Sequence, residues 1–102
     1  MELFKLEDFA DDQVVASLMF YTVKLPSRYL GVIEEVQTLE AYRRQGRATR
    51  LIERAIEKGR QLGLTCIELT VREDKPEIQK FYQSLGFCDR YNRAYRLSLG
   101  EA

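Results

Sequence analysis

The chain has 102 residues, a length that fits one domain, residues 1–102, with a single core. Sixteen basic and sixteen acidic side chains cancel, so composition offers no general attraction to nucleic acid or to a membrane surface. There is no histidine and there are two cysteines, Cys66 and Cys88, which excludes imidazole catalysis, the usual zinc sites and a disulfide framework.

Residues 3–7 are a short strand candidate, and the polar turn Ala10-Asp11-Asp12-Gln13 separates them from residues 14–23, rich in β-branched and aromatic side chains. On strict alternation Val14, Ala16, Leu18 and Phe20 share one face, and Val15, Met19, Tyr21 and Val23 the other. Leu25-Pro26-Ser27-Arg28 breaks that run, because proline cannot donate to a ladder. Residues 29–38 form the next strand, with Glu34 and Glu35 at its centre; neighbours in a strand point to opposite faces. The period then changes. Ala48, Leu51, Ile52, Ala55, Ile56 and Gly59 recur at helical spacing, and Gly63 is a natural stop. Residues 64–71 alternate again. A second helix opens near Pro76 with the stripe Ile78, Phe81, Tyr82 and Leu85, and Gly86 closes it. Residues 87–90 and 94–99 read as a closing strand pair. The order β-β-β-α-β-α-β-β predicts an α/β (α+β) fold with a mixed, largely antiparallel sheet and two main helices packed on it. The longest apolar runs, such as residues 14–19, are too short to span a bilayer, and no secretory leader precedes them. The expectation is a cytoplasmic protein with reduced thiols, no membrane partner and no metal site.

The segment Arg43-Arg44-Gln45-Gly46-Arg47-Ala48 sits where the central strand ends and the amphipathic helix begins. A helix start exposes unpaired N–H groups and positive partial charge, and it binds phosphate where the backbone can come close. Gly46 has no Cβ to hold a ligand away, Ala48 is nearly as small, and three arginines set the sign. Read alone, the segment fits a solvated basic helix entrance equally well.

With its flanks, the segment resembles the pyrophosphate signature of the GNAT superfamily of acyl-CoA-dependent N-acyltransferases, Gln/Arg-x-x-Gly-x-Gly/Ala. The preceding strand IEEVQTLEAY, residues 33–42, is similar to the strand that leads into that loop, and KPEIQKFYQSLGF, residues 75–87, to the family's second conserved segment. The chain differs at Glu40, where proline is frequent, and at Arg44, where glycine is. It also shows no helical periodicity before residue 43, where the family usually has an opening strand and two helices that wall the acceptor site.

The resemblance implies acetyl-CoA as cosubstrate, held at Arg43, Arg44, Gln45, Gly46, Arg47 and Ala48. It implies a backbone N–H among Val36, Gln37 and Thr38 that polarises the thioester carbonyl. Glu34 matches the family's base for the amine acceptor, against a surface charge or salt-bridge partner on the residues alone. Tyr82 would be a general acid for the leaving thiolate, against a packed core aromatic. The function implied is N-acetyl transfer from acetyl-CoA to an amine by direct attack in a ternary complex. The alternatives are a non-catalytic CoA-binding module that has lost its acceptor site, and a nucleic-acid binder using the arginines, which Glu40, Glu53 and Glu57 oppose. The apolar character of both faces of residues 14–23 predicts a homodimer with the N-terminal half at or beside the interface.

Overall fold

Strands β1 (Glu2–Ala10) and β2 (Gln13–Lys24) form an antiparallel hairpin closed by Asp11 and Asp12. Both turn residues have positive φ, 52° and 59°, the left-handed geometry of a two-residue turn whose twist matches the flanking strands. In this computed structural model, which describes residues 1–100, β2 then pairs antiparallel with β3 (Tyr29–Thr38). Pro26 and Ser27 form the bend between them, and Leu25 and Arg28 exchange backbone hydrogen bonds across it at 2.8 and 3.3 Å. A 3-10 turn (Glu40–Tyr42) and the loop after it lead into helix α1 (Arg47–Leu62), which crosses over to β4 (Cys66–Glu68). Strand β4 is parallel to β3, as such a helical crossover requires, and the sheet order is β1-β2-β3-β4.

Helix α1 packs on one face of this sheet. Leu51, Ile52, Ala55 and Gly59 are its buried residues, the stripe expected from the 3.6-residue period. They cover the sheet face that carries Ala16, Leu18, Phe20 and Thr22 of β2 and Gly31 and Ile33 of β3, all buried, whereas Leu30, paired with Val23, is buried on the opposite face. Leu18, Phe20 and Ile52 have no exposed surface, and each such side chain contributes about 1.5–3 kcal/mol by burial. Gly63 ends α1 with φ 80°, and Leu64 N–H reaches back to the Gly59 carbonyl at 2.9 Å, so the chain turns sharply towards β4. Gly31 is equally constrained by space: a Cβ there would lie 2.6 Å from Leu64 Cδ1 and 2.8 Å from Phe20 Cε1.

Two bulges interrupt the period-2 alternation. Asp8 pairs with Ala16 but Phe9 pairs with Val14, so Val15 is an extra residue on β2. It is buried while Val14 is exposed, which reverses the faces that strict alternation predicts for this pair. From Leu18 on, alternation holds: Leu18, Phe20 and Thr22 are buried, and Met19, Tyr21 and Val23 are half-buried. The second bulge lies in β3. Ser17 pairs with Gln37 and Met19 with Glu34, so Leu18 faces both Glu35 and Val36. Glu35 adopts the left-handed conformation, φ 53°.

Residues 70–100 belong to a second compact unit. Its helix α2 (Pro76–Ser84) opens on proline, as predicted. Gly86, φ 100°, follows it, and the N–H groups of Gly86 and Phe87 bond to the carbonyls of Gln83 and Tyr82 at 3.0 and 3.1 Å. This Schellman closure brings the residue after the glycine back over the last turn. Ahead of α2, Arg72 donates two hydrogen bonds to Asp74, at 3.0 and 2.8 Å, and holds that carboxyl below the usual range.

Two expectations need correction. Strand β4 spans three residues rather than residues 64–71, because its pairing with β3 stops at Val32, two residues before the bulge region at Glu34. The closing strands at 87–90 and 94–99 are not formed among the described residues. Alternation supplies a strand's side-chain pattern, but a strand exists only where a partner takes its backbone groups. Here Tyr91, Tyr95, Leu97 and Leu99 are all exposed.

The bulge makes a prediction about stability. Left-handed backbone costs a non-glycine residue about 1–3 kcal/mol, most for a β-branched one. Glu35→Gly is therefore expected to leave the unfolding midpoint in urea at or above that of the parent, and Glu35→Val to lower stability by about 1–3 kcal/mol. The opposite ranking would mean that residue 35 is not left-handed in solution.

Candidate active site

The first unit assembles most of the predicted site residues. The β3–β4 ladder ends at Val32↔Glu68, so beyond it residues 33–38 have β2 on one side and no strand on the other among the described residues. Val36, Gln37 and Thr38 lie on this free edge, immediately after the bulged Glu35. A bulge turns backbone groups out of the ladder, and an unpaired edge leaves them able to bond elsewhere. Glu34 is exposed and sits opposite Met19 in register, on the sheet face away from Phe20 and α1. Glu35 is exposed too. Its left-handed backbone breaks the simple opposition of faces expected for the two glutamates.

The predicted phosphate loop follows. Arg43 Nε donates to the Thr38 carbonyl at 3.2 Å, which fastens the loop to the end of β3. Arg44 (φ 62°) and Gly46 (φ 75°) are both left-handed. Gly46 is the residue that caps α1, and the first intrahelical bond runs from Arg50 N–H to its carbonyl at 3.0 Å. The N–H groups of Arg47, Ala48 and Thr49 therefore have no helical acceptor. No side chain caps them, and the first turn holds no acidic residue. A Cβ on Gly46 would meet only Arg50 Nη1, at 3.4 Å, so the approach to these groups is open. The helix start thus presents unpaired donors, positive partial charge and free access, the properties an anion site needs.

The three motif arginines do different things. Arg43 is tied to Thr38, as described. Arg47 Nη1 donates to Asp8 Oδ2 at 2.9 Å and its Nε to Gln45 Oε1 at 3.0 Å, and its guanidinium lies over the Tyr42 ring at 5.3 Å. Arg44 is exposed and makes no ion pair or side-chain hydrogen bond among the described residues. The charge available to a ligand is therefore chiefly that of Arg44, with Arg50 beside it. Arg50 bonds the Gln45 carbonyl at 3.2 Å and stays largely exposed.

Sequence reasoning missed the residues that support this loop. Asp8, Asp11 and Gln13 come from the β1–β2 hairpin. The Tyr42 hydroxyl donates to Asp11 at 2.5 Å and accepts from Gln13 Nε2 at 3.4 Å. Each contact joins residues about thirty or more positions apart, and no local pattern announces it.

Tyr82 belongs to the second unit. Its ring meets Phe81 edge-on at 5.0 Å and Phe87 at 5.8 Å. The Schellman closure that joins Phe87 to Tyr82 explains the spacing of the two aromatics around Gly86. Burial raises the phenol above its ordinary value of 10.0, so Tyr82 is a neutral donor throughout the physiological range.

Residues 3–87 match the sequence profile of the Acetyltransferase (GNAT) family. The chain belongs to that family. It is also 36% identical over 69 residues to N-alpha-acetyltransferase 30 of Schizosaccharomyces pombe, a match that covers 68% of this chain and 45% of that protein. The chain thus matches less than half the length of this curated relative. Among solved structures, a transcriptional regulator from Bacillus halodurans superposes with a TM-score of 0.82 at 25% identity, over 95% of this chain and 66% of that one. An acetyltransferase of Trypanosoma brucei gives 0.76 at 28% identity, over 86% and 61%. The GNAT match runs across the division between the two compact units at Leu69 and Thr70.

Proposed function

We propose that this GNAT chain binds acetyl-CoA and transfers its acetyl group to an amine by direct attack in a ternary complex, with residues 1–102 working as one domain. The observation that carries the reading is the glycine-opened, uncapped start of α1, fastened through Arg43 to the end of a bulged strand with a free edge. The N–H groups at the start of α1 and the exposed Arg44 suit a diphosphate; Arg43, Gln45, Arg47 and Ala48 complete the binding segment. A backbone N–H among Val36, Gln37 and Thr38 hydrogen-bonds the thioester carbonyl and stabilises the charge that gathers on its oxygen. Glu34 accepts a proton from the ammonium form of the acceptor, and Tyr82 gives its phenolic proton to the departing sulfur. Amine and thioester are already reactive partners, so holding them together supplies much of the acceleration.

The name of the S. pombe relative suggests the α-amino group of a peptide as the first acceptor to try. A lysine side chain and a polyamine serve as comparisons. The alternative, a module that binds CoA without turnover, differs in one measurement. Release of free thiol with some acceptor supports transfer; CoA binding without release from any of them supports the module. The reading also includes a cytoplasmic homodimer, with the β2 face that carries Met19, Tyr21 and Val23 beside the interface. Light scattering should give twice the chain mass, and a monomer mass would remove this part.

Two substitutions test the site. Asparagine tolerates left-handed backbone, so Gly46→Asn keeps the loop while placing a side chain over the donors. Its CoA affinity, measured by calorimetry, is expected to fall at least about tenfold, a loss of about 1.4 kcal/mol; an unchanged affinity would remove the diphosphate from this loop.

Tyr82→Phe keeps the ring contacts and deletes the donor. Turnover is expected to fall about 100-fold with little change in CoA affinity. A general acid works only while protonated, and burial pushes this phenol above 10. Any alkaline loss of turnover due to Tyr82 should therefore have its midpoint above pH 10, with the phenol still essentially protonated through the physiological range. Turnover within a factor of about two of the parent would return Tyr82 to a packing role.

A further inference from the structure

The backbone donors at the start of α1 are left free, which raises the question of what fixes their direction. A side-chain cap normally fixes the first turn, but it does so by occupying those same N–H groups. Here no side chain caps α1, and Gly46, the capping residue, is the least restricted residue type. The first turn is held from outside instead, by β1. Arg47, the first residue of α1, donates to Asp8 at 2.9 Å, and Arg50 approaches the same carboxylate oxygen at 4.0 Å. One turn further on, Arg54 Nη1 donates to the Glu7 carbonyl at 3.2 Å. These arginines lie three and four residues apart on one helix face, and all three reach residues 7 and 8 of β1.

The surroundings of Arg47 fit a strut better than a ligand-binding arm. Its side chain is only 19% exposed and that of Asp8 27%. Gln45 takes its Nε, and the Tyr42 ring lies against its guanidinium plane. Tyr42 is itself anchored to Asp11 in the turn of the same hairpin. The bulge at Val15 of β2 lies opposite the step from Asp8 to Phe9, where a bulge increases the local twist of the strand pair.

We propose that Asp8 is a positioning residue for the CoA diphosphate: by holding Arg47 it fixes the first turn of α1, so that the helix N–H groups converge on the ligand without a cap competing for them. This inference rests on the acetyl-CoA reading above. It assigns Arg47 to the scaffold and leaves Arg44 as the motif arginine whose charge the ligand meets.

The sign of one substitution decides between this role and its opposite. If Asp8 merely competed with phosphate for Arg47, Asp8→Asn would bind CoA more tightly. As a positioning residue, its replacement should weaken binding about tenfold in protein that remains folded at the temperature of measurement. Calorimetry with free CoA on the parent, Asp8→Asn, Arg47→Gln and the double variant gives the test. The double variant is expected to bind no more weakly than Arg47→Gln alone, because Asp8 acts through Arg47. A ligand-free readout accompanies it: the Arg50 amide, bonded to the Gly46 carbonyl, should exchange its hydrogen faster in Asp8→Asn while amides in the middle of α1 do not. Unchanged or tighter CoA binding, additive losses in the double variant, or unchanged exchange at Arg50 would each overturn the role given to Asp8. A parent chain that fails to bind CoA would instead overturn the reading of the site itself.

Discussion

One extra residue in β3 shapes the rest of the site. Up to Ile33 the strand is an ordinary member of the sheet, with Gly31 and Ile33 buried beneath α1 and β4 paired at its outer edge. At Glu35 and Val36 two residues oppose one, the backbone enters the left-handed region, and by then β4 has ended its pairing. The free edge at 36–38 is the consequence. A strained conformation persists only where its surroundings fix it. Here Leu18, opposite the bulge, has no exposed surface, and Leu51, Ile52 and Ala55 close over the same face of the sheet. Core burial on one face thus holds open the backbone on the edge.

The loop after the strand follows similar logic. Its positive groups are numerous, but most are engaged: Arg43 closes the loop on Thr38, Arg47 joins α1 to β1, and Arg50 bonds the Gln45 carbonyl. Exposed ion pairs contribute little to stability, whereas the Arg47–Asp8 pair is partly enclosed and has defined geometry on both partners. What remains for an anion is backbone, presented at a glycine where no side chain intervenes, together with Arg44. The opening of α1 thus keeps positive partial charge and the exposed guanidinium of Arg44 on a chain whose formal charges cancel.

Much of this architecture was legible in the sequence because its causes are local. The helical period from Ala48 to Gly59, the stop at Gly63, the proline opening α2 and the Asp11-Asp12 turn each depend on a few neighbouring residues. So does the loop before α1, whose small residue at position 46 appears directly in the chain. The bulges were not legible: Val15 looks like any strand valine, and Glu35 carries no glycine or asparagine to mark its positive φ. Nor was the hold of Asp8 on Arg47, since the residues lie 39 positions apart and meet only through tertiary structure. Residues 94–99 erred in the other direction. Their alternation is a sound strand pattern, but pattern cannot show whether an edge is present to receive it.

The measurement that bears most directly on the central claim is an amide chemical-shift map of the folded chain titrated with acetyl-CoA. A ligand held by backbone donors at the β3 edge and the start of α1 should move the amides of Val36, Gln37 and Thr38 and those of Arg44 through Thr49 most. Amides near Gly63, at the far end of the same helix, should barely move. Shifts centred elsewhere, with Gly46, Arg47 and Ala48 unmoved at saturation, would contradict the account.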